Sequence, residues 1–269
     1  MDAGQNKSNQ KGPIFEIPLH PEAKVKHVIA VGSGKGGVGK STITSILAVM
    51  LSRMGYQVGL MDADLTGPSL PQAFGIHEQA TGEETTIRPV RTMTGIQMIS
   101  MNVLLDDPSK PVVWRGPVIG TVIKQFWSNV VWEDVDILLI DMPPGTGDVP
   151  LTIYQSLPIK GMIMVSTPQD LVSLIVQKAG RMADMMQVPL LGLIENMSYL
   201  RCNHCEEVMY PFGKGKAAKA AKDLNVPLLA ELAIDPSFAA LVDKGRIETI
   251  PGVHLEDAVR AILSVCGLA

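Results

Sequence analysis

Short apolar runs alternate with helical patterns along most of this chain. The apolar runs predict strands at residues 27–31, 57–61, 136–140, 161–166, 190–195 and 227–230. Apolar residues at helical spacing predict one helix from about residue 40 to Gly55, and others at 118–131, 171–186, 215–223 and 255–265. This alternation predicts an α/β fold with a doubly wound, mostly parallel sheet and helices on both faces.

Two segments depart from this alternation. Residues 1–25 are polar and contain prolines, which predicts a flexible N-terminal tail. Residues 75–91 are rich in turn formers, which predicts an irregular excursion with short strands near 87–90 and 96–100. No internal repeat and no second apolar core are evident. Residues 26–269 are therefore predicted to form a single domain that carries a C-x-x-C loop near 199–212.

Composition narrows the class of protein. Hydrophobic residues make up 46% of the 269 residues, which is enough for a sizeable core, and the net charge of −4 disfavours nucleic acid as a partner. No apolar run reaches the ~18 residues that a membrane span needs, so no membrane partner is expected. Residues 1–13 lack the apolar segment of a secretory signal, and three cysteines do not make a disulfide framework. The expected location is the reducing cytoplasm.

A glycine-rich sequence follows the first predicted strand and opens the first predicted helix. It consists of Gly34, Lys35, Gly36, Gly37, Val38, Gly39, Lys40, Ser41 and Thr42, and it fits the pattern G-x-x-x-x-G-K-[ST]. Its backbone N–H groups and the start of the helix would cradle phosphate oxygens. Lys40 would reach the β- and γ-phosphates, and Ser41 would ligate Mg²⁺. Lys35 is not required by such a cradle: it is either a solvated charge or a second cation for the phosphates, supplied to a neighbouring subunit.

Carboxylates follow two further predicted strands. Asp141 comes directly after the apolar run 137–140, which is the Walker B arrangement of a carboxylate that holds Mg²⁺. Asp62 and Asp64 lie two residues apart, so strand geometry would turn only one of them toward a nucleotide, and the pattern does not choose between them. The loop after Asp141 contains Gly145, and a backbone N–H in this loop could sense a γ-phosphate. Because parallel strands end at one edge of a sheet, all these loops are expected to converge there.

A second candidate site is the pair Cys202 and Cys205. Two thiolates at C-x-x-C spacing suit a shared metal, but a tetrahedral Zn²⁺ or a [4Fe–4S] cluster needs about four ligands. Three interpretations stay open: His204 and another residue of the same chain complete the site, the pair is a redox dithiol, or two subunits each donate one pair. Cys266 lies in an apolar helical pattern and is predicted to be a core residue.

Several motifs together resemble the Mrp/ApbC family of iron–sulfur cluster carrier ATPases. This family belongs to the deviant-Walker-A group, with MinD, ParA and the nitrogenase iron protein. The resemblance rests on K-G-G-V-G-K-S-T at 35–42, D-A-D at 62–64 followed by G-P-S at 67–69, D-M-P-P-G-T-G-D at 141–148, and E-N-M-S at 195–198 shortly before the cysteine pair. It covers nearly the whole chain from residue 27 onward.

The resemblance implies roles that the patterns left open. Lys35 looks like the signature lysine that reaches the nucleotide of the partner subunit, Asp64 like the residue that acts on the attacking water, and Asn196 like a residue that contacts adenine. The catalytic set would be Lys35, Lys40 and Asp64, with Ser41 and Asp141 at Mg²⁺. Cys202 and Cys205 look like ligands of a [4Fe–4S] cluster that bridges a homodimer.

The function implied is slow ATP hydrolysis coupled to loading of the cluster or its transfer to apo iron–sulfur proteins, with cluster-assembly scaffolds as further partners. Residues 1–25 contain no cysteine, so a second cluster is not expected. Three other hypotheses stay open: a ParA- or MinD-like switch, a reductase like the nitrogenase iron protein, and an ATPase dimer with structural zinc.

Overall fold

The computed structural model describes residues 17–65, 67–83, 85–105, 116–202 and 204–269. The strands in these ranges are β1 (Val25–Ser33), β2 (Val58–Asp62), β3 (Thr81–Glu83), β4 (Thr86–Arg88), β5 (Val90–Arg91), β6 (Gln97–Ile99), β7 (Val135–Asp141), β8 (Ile159–Ser166), β9 (Leu190–Arg201), β10 (Val208–Met209) and β11 (Leu228–Ala233). The helices are α1 (Lys40–Arg53), α2 (Leu70–Ala73), α3 (Gly116–Ser128), α4 (Asp148–Ser156), α5 (Asp170–Met185), α6 (Ala217–Asp223), α7 (Pro236–Asp243) and α8 (Glu256–Cys266). None of these helices has the length and apolar character needed to cross a membrane.

One large sheet organises the described residues. Its strands follow the order β10-β9-β8-β1-β7-β2-β6-β5, and β11 pairs with β9. The pairs formed by β1, β2, β6, β7, β8, β9 and β11 are parallel, whereas β5 and β10 pair antiparallel with their neighbours. The predicted doubly wound, mostly parallel α/β sheet is therefore confirmed.

The centre of the sheet is apolar on both faces. Ile29, Val31, Ile137 and Leu139 are fully buried, as expected for strands that helices cover on both sides. Helix α1 packs its apolar residues into the core and ends before Gly55, whose φ of 94° suits a glycine at a helix end. The core therefore lies between the central strands and the helices that flank them.

The strand registers bring the ends of several strands to one edge. Asp62 at the end of β2 is the register partner of Asp141 at the end of β7. On the other side of β1, Ser166 at the end of β8 is the register partner of Glu195 in β9. Loops that leave these positions therefore meet at one edge of the sheet, where ligands of parallel α/β folds usually bind.

The N-terminal boundary differs from the prediction. The indole N–H of Trp127 donates to the carbonyl oxygen of Ile17 at 2.8 Å, and the N–H of Lys24 donates to that of Trp132 at 2.8 Å. Residues 17–24 therefore lie against the domain, and β1 already begins at Val25. The predicted tail was too long at this end, and its first part, residues 1–16, lies outside the described residues.

The strand predicted at 190–195 was too short, because β9 continues to Arg201. It passes a polar stretch in which Met197 has a φ of 56°, so neither alternation nor an apolar run marks this extension. Two short helices were also missed: α2 and α7. Helix α7 did carry a local signal, since Asp235 accepts a hydrogen bond from the N–H of Ser237 and Pro236 occupies the first helical position.

Candidate functional site

The glycine-rich loop, residues 34–39, joins β1 to α1 beside a cavity of about 280 Å³. Gly37 and Gly39 have φ angles of 78° and 82°, a region that residues with a side chain rarely adopt. The predicted residues that line this cavity are Gly36, Gly37, Val38, Gly39, Lys40, Ser41, Thr42 and Asp64. Thus the fold brings most of the predicted phosphate cradle to one concave surface.

A buried ion pair lies at the start of α1. The ammonium of Lys40 is 2.8 Å from Oδ2 of Asp141, and the same oxygen accepts a hydrogen bond from Oγ of Ser41 at 2.6 Å. Lys40 is 6% exposed and Asp141 is fully buried. An unpaired carboxylate in this position would be costly, and the ammonium and the hydroxyl together compensate the charge.

Thr44 also belongs to this network, although sequence reasoning missed it. Its hydroxyl donates to Oδ1 of Asp141 at 2.9 Å, so both carboxylate oxygens have partners. The available signal was the helix period: Thr44 comes four residues after Lys40 and therefore lies on the same face of α1.

Asp62 and Asp64 have different environments. Asp64 lines the cavity, with Oδ2 4.0 Å from the ammonium of Lys40. Asp62 is fully buried and accepts hydrogen bonds from the hydroxyl of Ser100 and the N–H of Asp64. Burial and then the charge of Asp141 raise the pKa of Asp62 to about 8. Of the two carboxylates, Asp64 is the one that a ligand in the cavity would meet.

Lys35 lies apart from the other lysine of the loop. It does not line the cavity of its own chain, and its ammonium donates instead to Oε1 of Gln169, just before α5. Gln169 was not singled out from the sequence, because a polar residue at a helix start is common. Gly34 also lies outside the cavity lining. Pro144 lines the cavity, whereas the N–H of Gly145 donates to the carbonyl oxygen of Ser33 at 2.9 Å.

Asn196 lies on the other side of the loop. Its Nδ2 donates to the carbonyl oxygen of Val38 at 2.9 Å, and it lines a second cavity of about 230 Å³. Gly39 and Thr42 line both cavities, so the two spaces adjoin. Asp235, Pro236 and Phe238 complete the second wall, and sequence reasoning missed them because the short helix α7 was not predicted.

The cysteine pair lies in the turn of the hairpin formed by β9 and β10. We call residues 200–209 the cysteine hairpin. In it, Arg201 pairs with Val208 and Leu200 pairs with Met209. Within the turn, the N–H of Cys202 donates to Glu207 and the N–H of Glu206 donates back to Cys202, both at 2.9 Å. Cys205 is exposed and Cys202 is partly exposed. The turn thus presents both thiols at the surface.

Hydrogen bonds from the backbone N–H groups of His204 and Cys205, and from the side chain of Cys205, lower the pKa of Cys202. The thiol is therefore easier to convert to the thiolate that binds metals. Cys266, in contrast, is buried in α8 as predicted, and burial raises its pKa. Among the described residues, no group of three or more His, Cys, Asp or Glu is arranged to hold a metal ion, so the interpretation with His204 as a third ligand has no support within these ranges.

Comparisons with known proteins extend this picture. The ParA-type family described as NUBPL iron-transfer P-loop NTPase matches residues 24–265. An iron–sulfur cluster carrier protein of Clostridium perfringens is 46% identical over 232 residues, which cover 83% of this chain and 81% of that protein. A Kluyveromyces lactis protein named cytosolic Fe-S cluster assembly factor CFD1 is 40% identical over 250 residues, 89% of this chain and 88% of that protein.

Among solved structures, a nucleotide-binding protein of Archaeoglobus fulgidus in complex with ADP has a similar fold. The TM-score is 0.77 and the sequence identity is 40%, with 86% of this chain and 91% of that chain covered. The motifs in the sequence and these relatives indicate the same family, and the sheet topology is the one that this family would have.

Proposed function

Because this chain belongs to the Mrp- and NUBPL-type family of iron–sulfur cluster carriers within the ParA group of P-loop NTPases, we propose that it binds and slowly hydrolyses ATP while carrying a [4Fe–4S] cluster. Two copies of the chain would hold the cluster between their cysteine hairpins. Apo iron–sulfur proteins would receive it, and cluster-assembly scaffolds would supply it. We also propose a cytoplasmic location, which suits three free cysteines and the cytosolic relative in K. lactis.

The observation that carries this proposal is the pair of thiols in the cysteine hairpin, one exposed and one partly exposed. Cys202 and Cys205 offer two ligands on one turn, and a cluster needs about four. A second copy related by a two-fold axis would offer the same two thiols, since a symmetric dimer brings identical surfaces together. Exposed thiols also suit a cargo that must leave, because a receiving protein can approach them.

The cavity beside the glycine-rich loop supports the ATP part of the proposal. Lys40 and the N–H groups of the loop would bind the phosphates, and the adjoining cavity with Asn196 and Phe238 would take the base. The hydroxyl of Ser41 and the carboxylate of Asp141 are hard oxygen donors that touch each other, so they fit Mg²⁺. The ion would supply charge neutralisation at the phosphates.

Hydrolysis needs a positioned water and compensation of negative charge. Asp64 is the carboxylate that faces the cavity, so we assign it to orient the attacking water. Lys40 would stabilise the charge that develops on the transferred phosphoryl group. Lys35 would leave Gln169 and reach the nucleotide of the second copy, which would make hydrolysis depend on dimer formation.

Anaerobic reconstitution with iron and sulfide tests the cargo. We expect the wild-type protein to take up about four irons per dimer, to absorb in the cluster charge-transfer region and to activate an apo-protein. Cys205→Ala should lose all three properties, while Cys266→Ala, a matched change at a buried cysteine, should keep them. Equal iron uptake by wild type and Cys205→Ala would contradict the proposal. Uptake of zinc alone would instead favour the structural-zinc hypothesis.

A further inference from the structure

Strand β9 connects the nucleotide cavity with the cysteine hairpin. Asn196 lies beside the glycine-rich loop, and Cys202 follows the last residue of the same strand. They are six positions apart, which corresponds to at most about 20 Å along the chain. No other segment of the described residues carries both a contact to this loop and a cysteine of the pair.

The contact at the nucleotide end is close. Besides the hydrogen bond from Asn196 to Val38, a Cβ atom at Gly39 would lie 2.3 Å from Nδ2 of Asn196. The backbone of the loop and the side chain of Asn196 are therefore in close contact. The carbonyl of Val38 and the N–H of Gly39 belong to one planar trans peptide, in which they point in opposite directions. By holding the carbonyl, Asn196 also fixes the direction of an N–H of the predicted phosphate cradle.

The strand is irregular directly after Asn196. Glu195 pairs with Glu231 of β11 and Tyr199 pairs with Ala233, so three residues of β9 stand opposite one residue of β11. Met197, in the middle, has the left-handed φ of 56° that a residue with a side chain adopts only when its surroundings impose it. Residues 196–198 thus form a bulge, and such a bulge sets the direction in which the strand continues.

Hydrogen bonds hold both flanks of this bulge. The hydroxyl of Ser198 donates to Oε2 of Glu195 at 2.6 Å, and the N–H of Ala217 donates to Oε1 at 3.2 Å. The N–H of Ile234 donates to the carbonyl oxygen of Tyr199 at 2.6 Å. Glu195 and Ser198 are almost fully buried. Because these hydrogen bonds fix the flanks of the bulge, its backbone can change conformation mainly at Asn196 and Met197.

We propose that Asn196 is a positioning residue that couples the nucleotide loop to the cysteine hairpin through the bulge at residues 196–198. Phosphate binding reorients the Val38–Gly39 peptide, Asn196 follows the carbonyl, and the changed bulge alters the exposure and spacing of Cys202 and Cys205. The inference rests on the proposed function, since it explains how nucleotide state would regulate cluster loading. It assigns to Asn196 a role toward the loop in addition to any contact with the base.

Thiol reactivity tests the coupling without a cluster. In a Cys266→Ser background, the alkylation rate of the two remaining thiols is measured with and without a saturating non-hydrolysable ATP analogue and Mg²⁺. We expect the nucleotide to change this rate about fivefold or more, as is usual for coupled sites. Asn196→Ala loses a wall of the cavity proposed for the base and should bind the analogue more weakly, so the analogue is raised until calorimetry shows saturation. At saturation the rate change should still disappear.

Two further variants separate coupling from general damage. Asn196→Asp keeps the shape of the side chain but presents an oxygen to the carbonyl of Val38, so it should also lose the rate change even if Asn196→Ala folds poorly. Asn102→Ala is the matched control, because its amide likewise donates to a backbone carbonyl, that of Pro68, and it follows β6, which four strands separate from β9. It should keep the wild-type rate change.

The coupling proposal is overturned if both folded Asn196 variants respond to saturating nucleotide as wild type does. It is equally overturned if the wild-type thiols do not respond at all. Neither result depends on iron uptake, so the carrier function and the coupling can fail separately.

Discussion

The nucleotide cavity and the cysteine hairpin are built in opposite ways. At the cavity, the charged groups are buried and paired within one chain: Asp141 accepts from Lys40, Ser41 and Thr44. At the hairpin, the two thiols are exposed or partly exposed. Val208 in the hairpin and the aromatic residues Tyr210 and Phe212 directly after it are also 40–45% exposed. The buried charge of Asp141 is thus compensated within a single copy, whereas the hairpin offers only two thiols.

This difference corresponds to the two proposed tasks. A site that binds phosphates repeatedly benefits from charges that are fixed in advance, because little reorganisation is then needed. A site that passes on its cargo benefits from ligands that solvent and other proteins can approach. We therefore expect substitutions at the cavity to change stability and affinity strongly, and substitutions at the hairpin to change mainly chemical reactivity.

The largest effect is expected for Lys40→Met. The variant removes a charged donor to the phosphates, so the affinity for ATP in calorimetry should fall about 10- to 100-fold. It also leaves the buried Asp141 without its cation, which should cost about 3 kcal/mol of unfolding free energy.

Lys35→Met is the matched control within the same loop, because Lys35 lies outside the cavity lining. It should bind ATP within about twofold of wild type, since exposed charges contribute little, and lose only hydrolysis. Equal losses of affinity in the two variants would remove the distinction between the two lysines.

A smaller effect is expected from alanine at three left-handed glycines. Gly37, Gly39 and Gly213 have φ angles of 78°, 82° and 80°, but only at Gly39 would the new Cβ meet another atom within 3 Å. In denaturant titrations, Gly37→Ala and Gly213→Ala should each cost about 1 kcal/mol from backbone strain. Gly39→Ala should cost about 2–3 kcal/mol, because Asn196 must also move. Three equal values would show that the contact with Asn196 is not tight.

The smallest effect concerns the pH dependence of Cys202. Because hydrogen bonds from backbone N–H groups lower its pKa, its thiolate should persist to lower pH than in the unfolded chain. We expect the alkylation midpoint of a Cys205→Ser, Cys266→Ser variant to lie at lower pH when folded than in denaturant. The rate at neutral pH should rise only modestly, because a thiolate becomes less nucleophilic as its pKa falls. Coinciding midpoints would mean that the hairpin turn does not influence the thiol.

Sequence reasoning reached the fold because the central strands are buried on both faces and therefore appear as apolar runs, such as 136–140 in β7. It predicted that Lys40, Ser41 and Asp141 lie together at one edge of the sheet, because their positions relative to the strand ends are fixed by the chain itself. Thr44 was within reach of the helix period and was overlooked.

Other features depend on contacts between distant segments. The extension of β9 past residue 195 relies on pairing with β11 and β10, and its polar residues carry no strand signal. The hydrogen bond between Lys35 and Gln169 joins residues 134 positions apart, so no local sequence pattern predicts it. The raised pKa of Asp62 likewise results from burial beside β7, which only the assembled sheet provides.

The two-thiol turn has a consequence in mass action. If each copy supplies half of the ligands, the concentration of loaded carrier rises with the square of the protomer concentration at low occupancy, and dilution alone favours release. A receiving protein then competes with one copy of the carrier for one pair of bonds at a time, rather than with a closed set of four. The concentration of the carrier would thus determine how readily the cluster is released, without any change in the turn itself.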